Sequence, residues 1–207
     1  AFIDLLQNRA YSLHDRLVNV LSASAEIQYA LDEEDTEEIK AIAQELSHPE
    51  IIAERVESLK KALPEKPLEN AENMLLYLER LDFIGDILPQ QIKDASRFVK
   101  KLSAPLKAQT SGEYEKLAVY FVYRYFLKAV RDFDLLSKIK AMIMFVFAAE
   151  VINLSREQDA PARFETVKEL CKEIEYSGDN MDRIYDDSYL SDIFSDISML
   201  ALLEWTL

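Results

Sequence analysis

LAVYFVYRYFLKAVRDFDLLSKIKAMI, Leu117 to Ile143, combines more apolar surface with a more regular set of charges than any other stretch of the chain. It reads as two helices and a corner. On the first, Arg124, Lys128 and Arg131 fall at i, i+4 and i+7, one cationic stripe on a rod otherwise built of Leu, Val, Phe and Tyr. Such a rod is expected to be mostly buried. Asp132 and Asp134 punctuate the corner, and Leu135 to Leu154 forms a second, still more apolar helix with a single carboxylate, Glu150, beyond its first turn.

Helical signals continue outward on both sides. Toward the N-terminus, Phe2 to Arg9 reads as a short helix, and Ser12 with Asp15 three residues on has the pattern of a cap for a helix running to about Leu31. Asp32 to Glu38, DEEDTEE, holds six carboxylates in seven residues. It reads as a solvated turn plus the acidic first turn of the helix Thr36 to Leu46, or as a docking site for a basic substrate. Pro49 suits the first turn of the next helix, which Pro64 and Pro67 stop; the PEKP segment makes a turn rather than an interdomain linker. Leu68 to Phe83 presents an apolar face, with Gly85 placed for a left-handed cap, and Pro89 can begin the helix after it. Ser103 to Gly112 lacks helical periodicity and reads as a loop, with the composition of a gate as well. Beyond the central pair, Asp159 and Pro161 start a helix to Tyr176 with Gly178 past its end, and Asp179 to Leu207 supplies one or two closing helices. The expectation is an all-α, single-domain bundle of about eight to ten helices.

Composition narrows the function. Only three glycines occur in 207 residues, which argues against a turn-rich β fold and against a glycine-rich phosphate loop. Thirty-eight acidic against 24 basic residues give a formal charge of −14, so no nucleic acid and no membrane is expected as partner. A basic protein is the natural one. The apolar run Ala141 to Ala149 falls far short of the ~20 residues a bilayer requires. The single cysteine, Cys171, rules out an intrachain disulfide and suits a reducing compartment. The first residues do not have the form of a signal peptide.

Chemistry-bearing motifs are scarce. His14 and His48 read as ordinary helix-surface or turn residues, Cys171 as a small core residue, and no metal-ligating pattern is present, so no metal is expected. No catalytic residue is assigned. The cationic stripe is the exception, because a cation among aromatic side chains needs a partner, and Glu150, Asp132 and Asp134 are the nearest in sequence. One reading is a buried ion-pair and tyrosine network that fixes helix packing. The other makes Tyr120, Tyr123, Arg124, Lys128 and Glu150 a wall of a cofactor-binding pocket, whose aromatic faces favour a sulfonium or ammonium.

YFVYRYFLKAV followed by DLLSKIK, with FIDLLQNRAYSLHDRL (Phe2 to Leu17) and KEIEYSGDNMDRIYD (Lys172 to Asp186) in the same order, resembles the C-terminal half of the flagellin lysine N-methylase family. The resemblance implies transfer of methyl groups from S-adenosylmethionine to lysines of flagellin in the bacterial cytoplasm. It also implies a cysteine-rich upstream segment holding an iron–sulfur cluster, whose cysteines are absent from this sequence. Residues 1–207 then read as one helical domain, the C-terminal part of a longer S-adenosylmethionine-dependent lysine N-methyltransferase. The alternative is a noncatalytic helical module recognising flagellin or another partner.

Overall fold

The structure, a computed structural model, describes residues 1–61, 67–106, 112–156 and 159–205. Among them no strand occurs, and twelve α-helical segments follow one another. They are α1 (Phe2–Gln7), α2 (Leu13–Asp32), α3 (Thr36–Glu45), α4 (Pro49–Lys60), α5 (Pro67–Leu78), α6 (Ile87–Val99), α7 (Gly112–Tyr125), α8 (Ala129–Asp132), α9 (Leu136–Arg156), α10 (Ala160–Leu170), α11 (Gly178–Leu190) and α12 (Asp196–Leu203). The all-α expectation holds. Ten of these helices have seven residues or more. The PEKP turn lies largely outside the described residues, as does half of the Ser103 to Gly112 loop.

Helix α9 is the axis. Every residue from Leu136 to Asn153 is buried, because α2, α6, α7, α10, α11 and α12 pack around it. A helix apolar on all sides is stable only when enclosed in this way. Its lysines reach out from under the neighbours. Lys138 lies 2.9 Å from Asp132 and Lys140 lies 3.1 Å from Asp196, so each buried ammonium meets a carboxylate at the surface.

Local sequence rules fix several of the ends. Ser12 Oγ accepts from the Asp15 amide, Asp35 Oδ1 from those of Glu37 and Glu38, and Asp159 Oδ1 from that of Ala162, each satisfying open donors of a first turn. The DEEDTEE segment therefore contains a capping residue. Gly85 is not left-handed, contrary to expectation. Its amide and that of Ile84 donate to Glu173 Oε2, and a Cβ there would stand 3.2 Å from Glu173 Oε1. Close approach, not a positive φ, is what favours glycine.

Helix α7 departs most from its expected form. After Tyr125 it narrows to a 3-10 turn, Phe126–Lys128, before α8 and the corner at Phe133. Phe121, Val122, Tyr125 and Ala129 face the core, with the Phe121 ring 4.6 Å from that of Phe145. The opposite face, however, is open. Tyr123, Leu127 and Val130 are exposed, so the rod is a surface helix with one buried side. Two carboxylates near its start fasten α7 to its neighbours. Glu115 receives Arg9 of the α1–α2 turn at 2.9 Å and the buried Arg16 of α2 at 2.8 Å, and Glu113 pairs with Arg163 of α10 at 2.7 Å.

Candidate functional site

Following α10, residues Cys171–Glu175 form a π-helical segment in which the Tyr176 amide reaches back to the Cys171 carbonyl at 2.9 Å. The widened turn carries Glu175 inward against α7. Such segments recur at functional sites because they redirect a side chain within a continuous helix. On α7, Tyr120, Arg124 and Tyr125 lie at i, i+4 and i+5, the spacing that brings them to one side.

Glu175 is the centre of the cluster that results. Its side chain is 0% exposed, and Oε1 accepts from the hydroxyls of Tyr120 at 2.7 Å and Tyr125 at 2.6 Å. Arg124 Nε stands 3.0 Å from the same oxygen and donates to the Tyr125 hydroxyl at 3.2 Å. The guanidinium carbon lies 5.3–5.8 Å from the ring centroids of Tyr120, Tyr125 and Tyr176, which gives three cation–π contacts. Glu175 Oε2 is buried and has no hydrogen-bond partner among the described residues, and neither has the hydroxyl of the nearby Tyr185. A buried carboxylate oxygen with no donor is costly, so it marks a place where a donor would be welcome.

Electrostatics follow from burial. Burial first, then the hydrogen bond to Glu175, pushes the phenols of Tyr120 and Tyr125 well above their ordinary range. Burial, and then the neighbouring Glu175, push up the Cys171 thiol as well, which disfavours its thiolate. Beside the cluster a hollow of about 370 Å³ opens between Ile3, Gln7, Glu115, Val119, Tyr120 and Tyr123.

The expected site residues divide. Tyr120 and Arg124 are brought together, but the carboxylate that answers Arg124 is Glu175 and not Glu150, Asp132 or Asp134. Glu150 is buried in α9 and acts electrostatically on Tyr114, whose hydroxyl burial raises to about 12. Asp132 and Asp134 both serve Lys138. Tyr123 is exposed and lines the hollow beside Tyr120 without joining the cluster, and Lys128 lies exposed over the Tyr125 ring at 4.8 Å. Tyr125, Cys171, Glu175, Tyr176 and Tyr185 complete the cluster. Glu175 lies 50 residues beyond Tyr125, and the one available sign of it was the KEIEYSGDNMDRIYD stretch that carried the resemblance. His14 also corrects its reading. It is buried, with Nδ1 3.2 Å from Asp15 and Nε2 3.3 Å from Glu204, and ties α2 to the C-terminal end of the chain.

Among the described residues no group of three or more His, Cys, Asp or Glu is arranged to hold a metal ion, and no helix is long and apolar enough to cross a membrane. The chain is thus an all-α assembly around a central apolar helix, with a tyrosine-ringed carboxylate at its side. More particularly, residues 1–202 match the FliB lysine N-methylase C-terminal domain, and the chain belongs to that family. No curated protein and no solved structure matches it.

Proposed function

We propose that residues 1–207 form one helical domain, the C-terminal part of a longer, cytoplasmic protein lysine N-methyltransferase, and that the Glu175 cluster receives the cationic group of its substrate or methyl donor. The observation that carries this reading is the unpartnered, buried Oε2 of Glu175 within a ring of tyrosines. Lysine presents an ammonium with three donors, and S-adenosylmethionine a sulfonium with none; aromatic faces and a carboxylate suit both. Arg124 now fills the aromatic space, but its side chain is 43% exposed and has solvent into which to turn.

The methyl donor supplies an electrophilic methyl group on a positively charged sulfur. Tyr120, Tyr125 and Tyr176 would face that charge, which is consistent with the orphaned oxygen at their centre. For a lysine, Glu175 Oε2 would hold the ammonium and orient it, while the hydroxyls of Tyr120 and Tyr125 keep Oε1 fixed. The acidic surface, −14 overall, suits a lysine-bearing protein such as flagellin.

Calorimetric titration of S-adenosylmethionine, with S-adenosylhomocysteine as companion, tests the donor side. Methylation of a flagellin-derived lysine peptide by the whole enzyme tests the substrate side. Saturable donor binding, or a peptide KM raised by about tenfold or more in Glu175→Gln, supports the site. Unchanged donor binding together with unchanged KM and kcat in that variant rejects it. A noncatalytic module recognising flagellin or another protein is the second reading, favoured by the exposed apolar face of α7, and loss of all methyl transfer from the whole protein would select it.

A further inference from the structure

Tyr123, Leu127, Val130 and Phe133 are 76%, 73%, 72% and 63% exposed. Their spacing of four, three and three residues makes one apolar ridge along α7 and α8, about 15 Å long at helical rise. The core-facing positions of the same segment are already filled by Phe121, Val122, Tyr125 and Ala129, so packing of the chain does not account for the ridge. Tyr123 and Leu127 continue into a groove of about 510 Å³, whose other walls include Phe2, Ile3, Ile39 and Leu46. Ridge and groove form one apolar surface, the kind that marks a contact with another macromolecule.

Two further features share this face. Lys128 and Arg131 alternate with the ridge residues, both exposed, and neither has a carboxylate partner among the described residues. In a chain with 38 acidic side chains, two cations without a carboxylate partner stand beside the apolar strip, while Asp4 lines the groove. The corner is also strained. Phe133 has φ 56°, a left-handed conformation that a bulky residue adopts at a cost. It is held there by Gln28, which donates to the Phe133 carbonyl at 2.9 Å and accepts from the amides of Leu135 and Leu136. The Phe133 side chain is exposed, as are the other ridge residues.

We infer that this face docks an amphipathic helix of another protein, with its apolar side on the ridge and groove and carboxylates along its flank against Lys128 and Arg131. A helix is the fitting element because the described residues contain no strand and therefore no sheet edge to extend, whereas an apolar groove is the usual receptor for a helix. Three turns match the length of the ridge. Complementary charge sets the partner's flank, and the −14 of the whole chain opposes adhesion to an anionic bilayer.

The test uses two fluorescein-labelled helical peptides that share one leucine face, flanked in one by glutamate and in the other by lysine, titrated with the full chain by anisotropy. The glutamate peptide is expected to bind at least about tenfold more tightly than the lysine peptide, and Leu127→Asp to weaken it by about tenfold or more. The double variant Lys128→Glu/Arg131→Glu should invert the preference. All three positions are exposed, so the fold is left intact. Equal binding of the two peptides, or binding indifferent to Leu127→Asp, overturns the inference. Sedimentation with anionic vesicles without peptide binding reassigns the face to a membrane. A concentration-dependent dimer abolished by Leu127→Asp reassigns it to self-association.

Discussion

Arg124→Met and Glu175→Gln together form a double-mutant cycle that isolates the ion pair at the centre of the site. Methionine keeps most of the apolar stem over the tyrosines, and glutamine keeps an Oε1 that can still accept from Tyr120 and Tyr125, so each change removes mainly a charge. At 3.0 Å the bare attraction is roughly 5 kcal/mol for an effective dielectric of 20. Water reaches Arg124, whose side chain is 43% exposed, and screening reduces the net coupling to about 1–2 kcal/mol. Each single change destabilises, and the double variant should lose less than the sum. In a chain of 207 residues that shortfall is about 2–8 °C in Tm, measurable by calorimetry and checked by urea titration. The control cycle pairs Arg124→Met with Glu150→Gln and should be additive within about 0.5 kcal/mol. Additivity in the first cycle, or an equal coupling in the second, would refute the assignment of Glu175 as the arginine's partner.

Other perturbations bear on the rest of the fold. Phe133→Gly relieves the left-handed backbone at the corner and sacrifices little packing, so it should raise stability by about 0.5–1 kcal/mol in urea titration; a fall of more than that size would show that the ring holds the corner. Gly85→Ala would ordinarily stabilise, but its Cβ meets the buried Glu173 carboxylate at 3.2 Å, and a net loss of about 0.5–1 kcal/mol is expected. A higher Tm would contradict the close-approach account. Hydrogen bonds from Arg163 to Glu113 and from Arg9 to Glu115 lower both carboxyl pKa values from 4.5. Their contribution is complete above the unfolded value and disappears as pH falls through the folded ones, so acid should loosen α7. Stability measured from pH 6 down to pH 3 should fall less steeply in Glu113→Gln/Glu115→Gln than in the natural sequence. Parallel curves would exclude these pairs as a source of acid sensitivity.

The helices were legible because their signals are local. An apolar period, Ser12 and Asp159 ahead of first turns, and prolines at Pro49 and Pro161 act within a few residues, and the structure places helices where they indicate. The unbroken apolar run of α9 likewise required burial on every side. Glycine at position 85 was noticed for the right reason, an exceptional place, but given the wrong cause. What demands glycine there is Glu173, 88 residues away.

The amino-acid sequence by itself determined that the chain is all-α, that the apolar helix Leu135 to Leu154 belongs to its core, and that the Arg124 stripe is set among aromatic residues. Tertiary structure alone decided which carboxylate faces Arg124 and which side of α7 meets water. Both are questions of rotation about helix axes and of contact across more than fifty residues. A stripe of side chains at i, i+4 and i+7 specifies one side of a cylinder, but the direction that side takes depends on all the neighbours that pack against the cylinder. Tyr120 and Arg124 therefore ended against Glu175, while Tyr123 on the same helix and Leu127 in the 3-10 turn that follows ended in solvent.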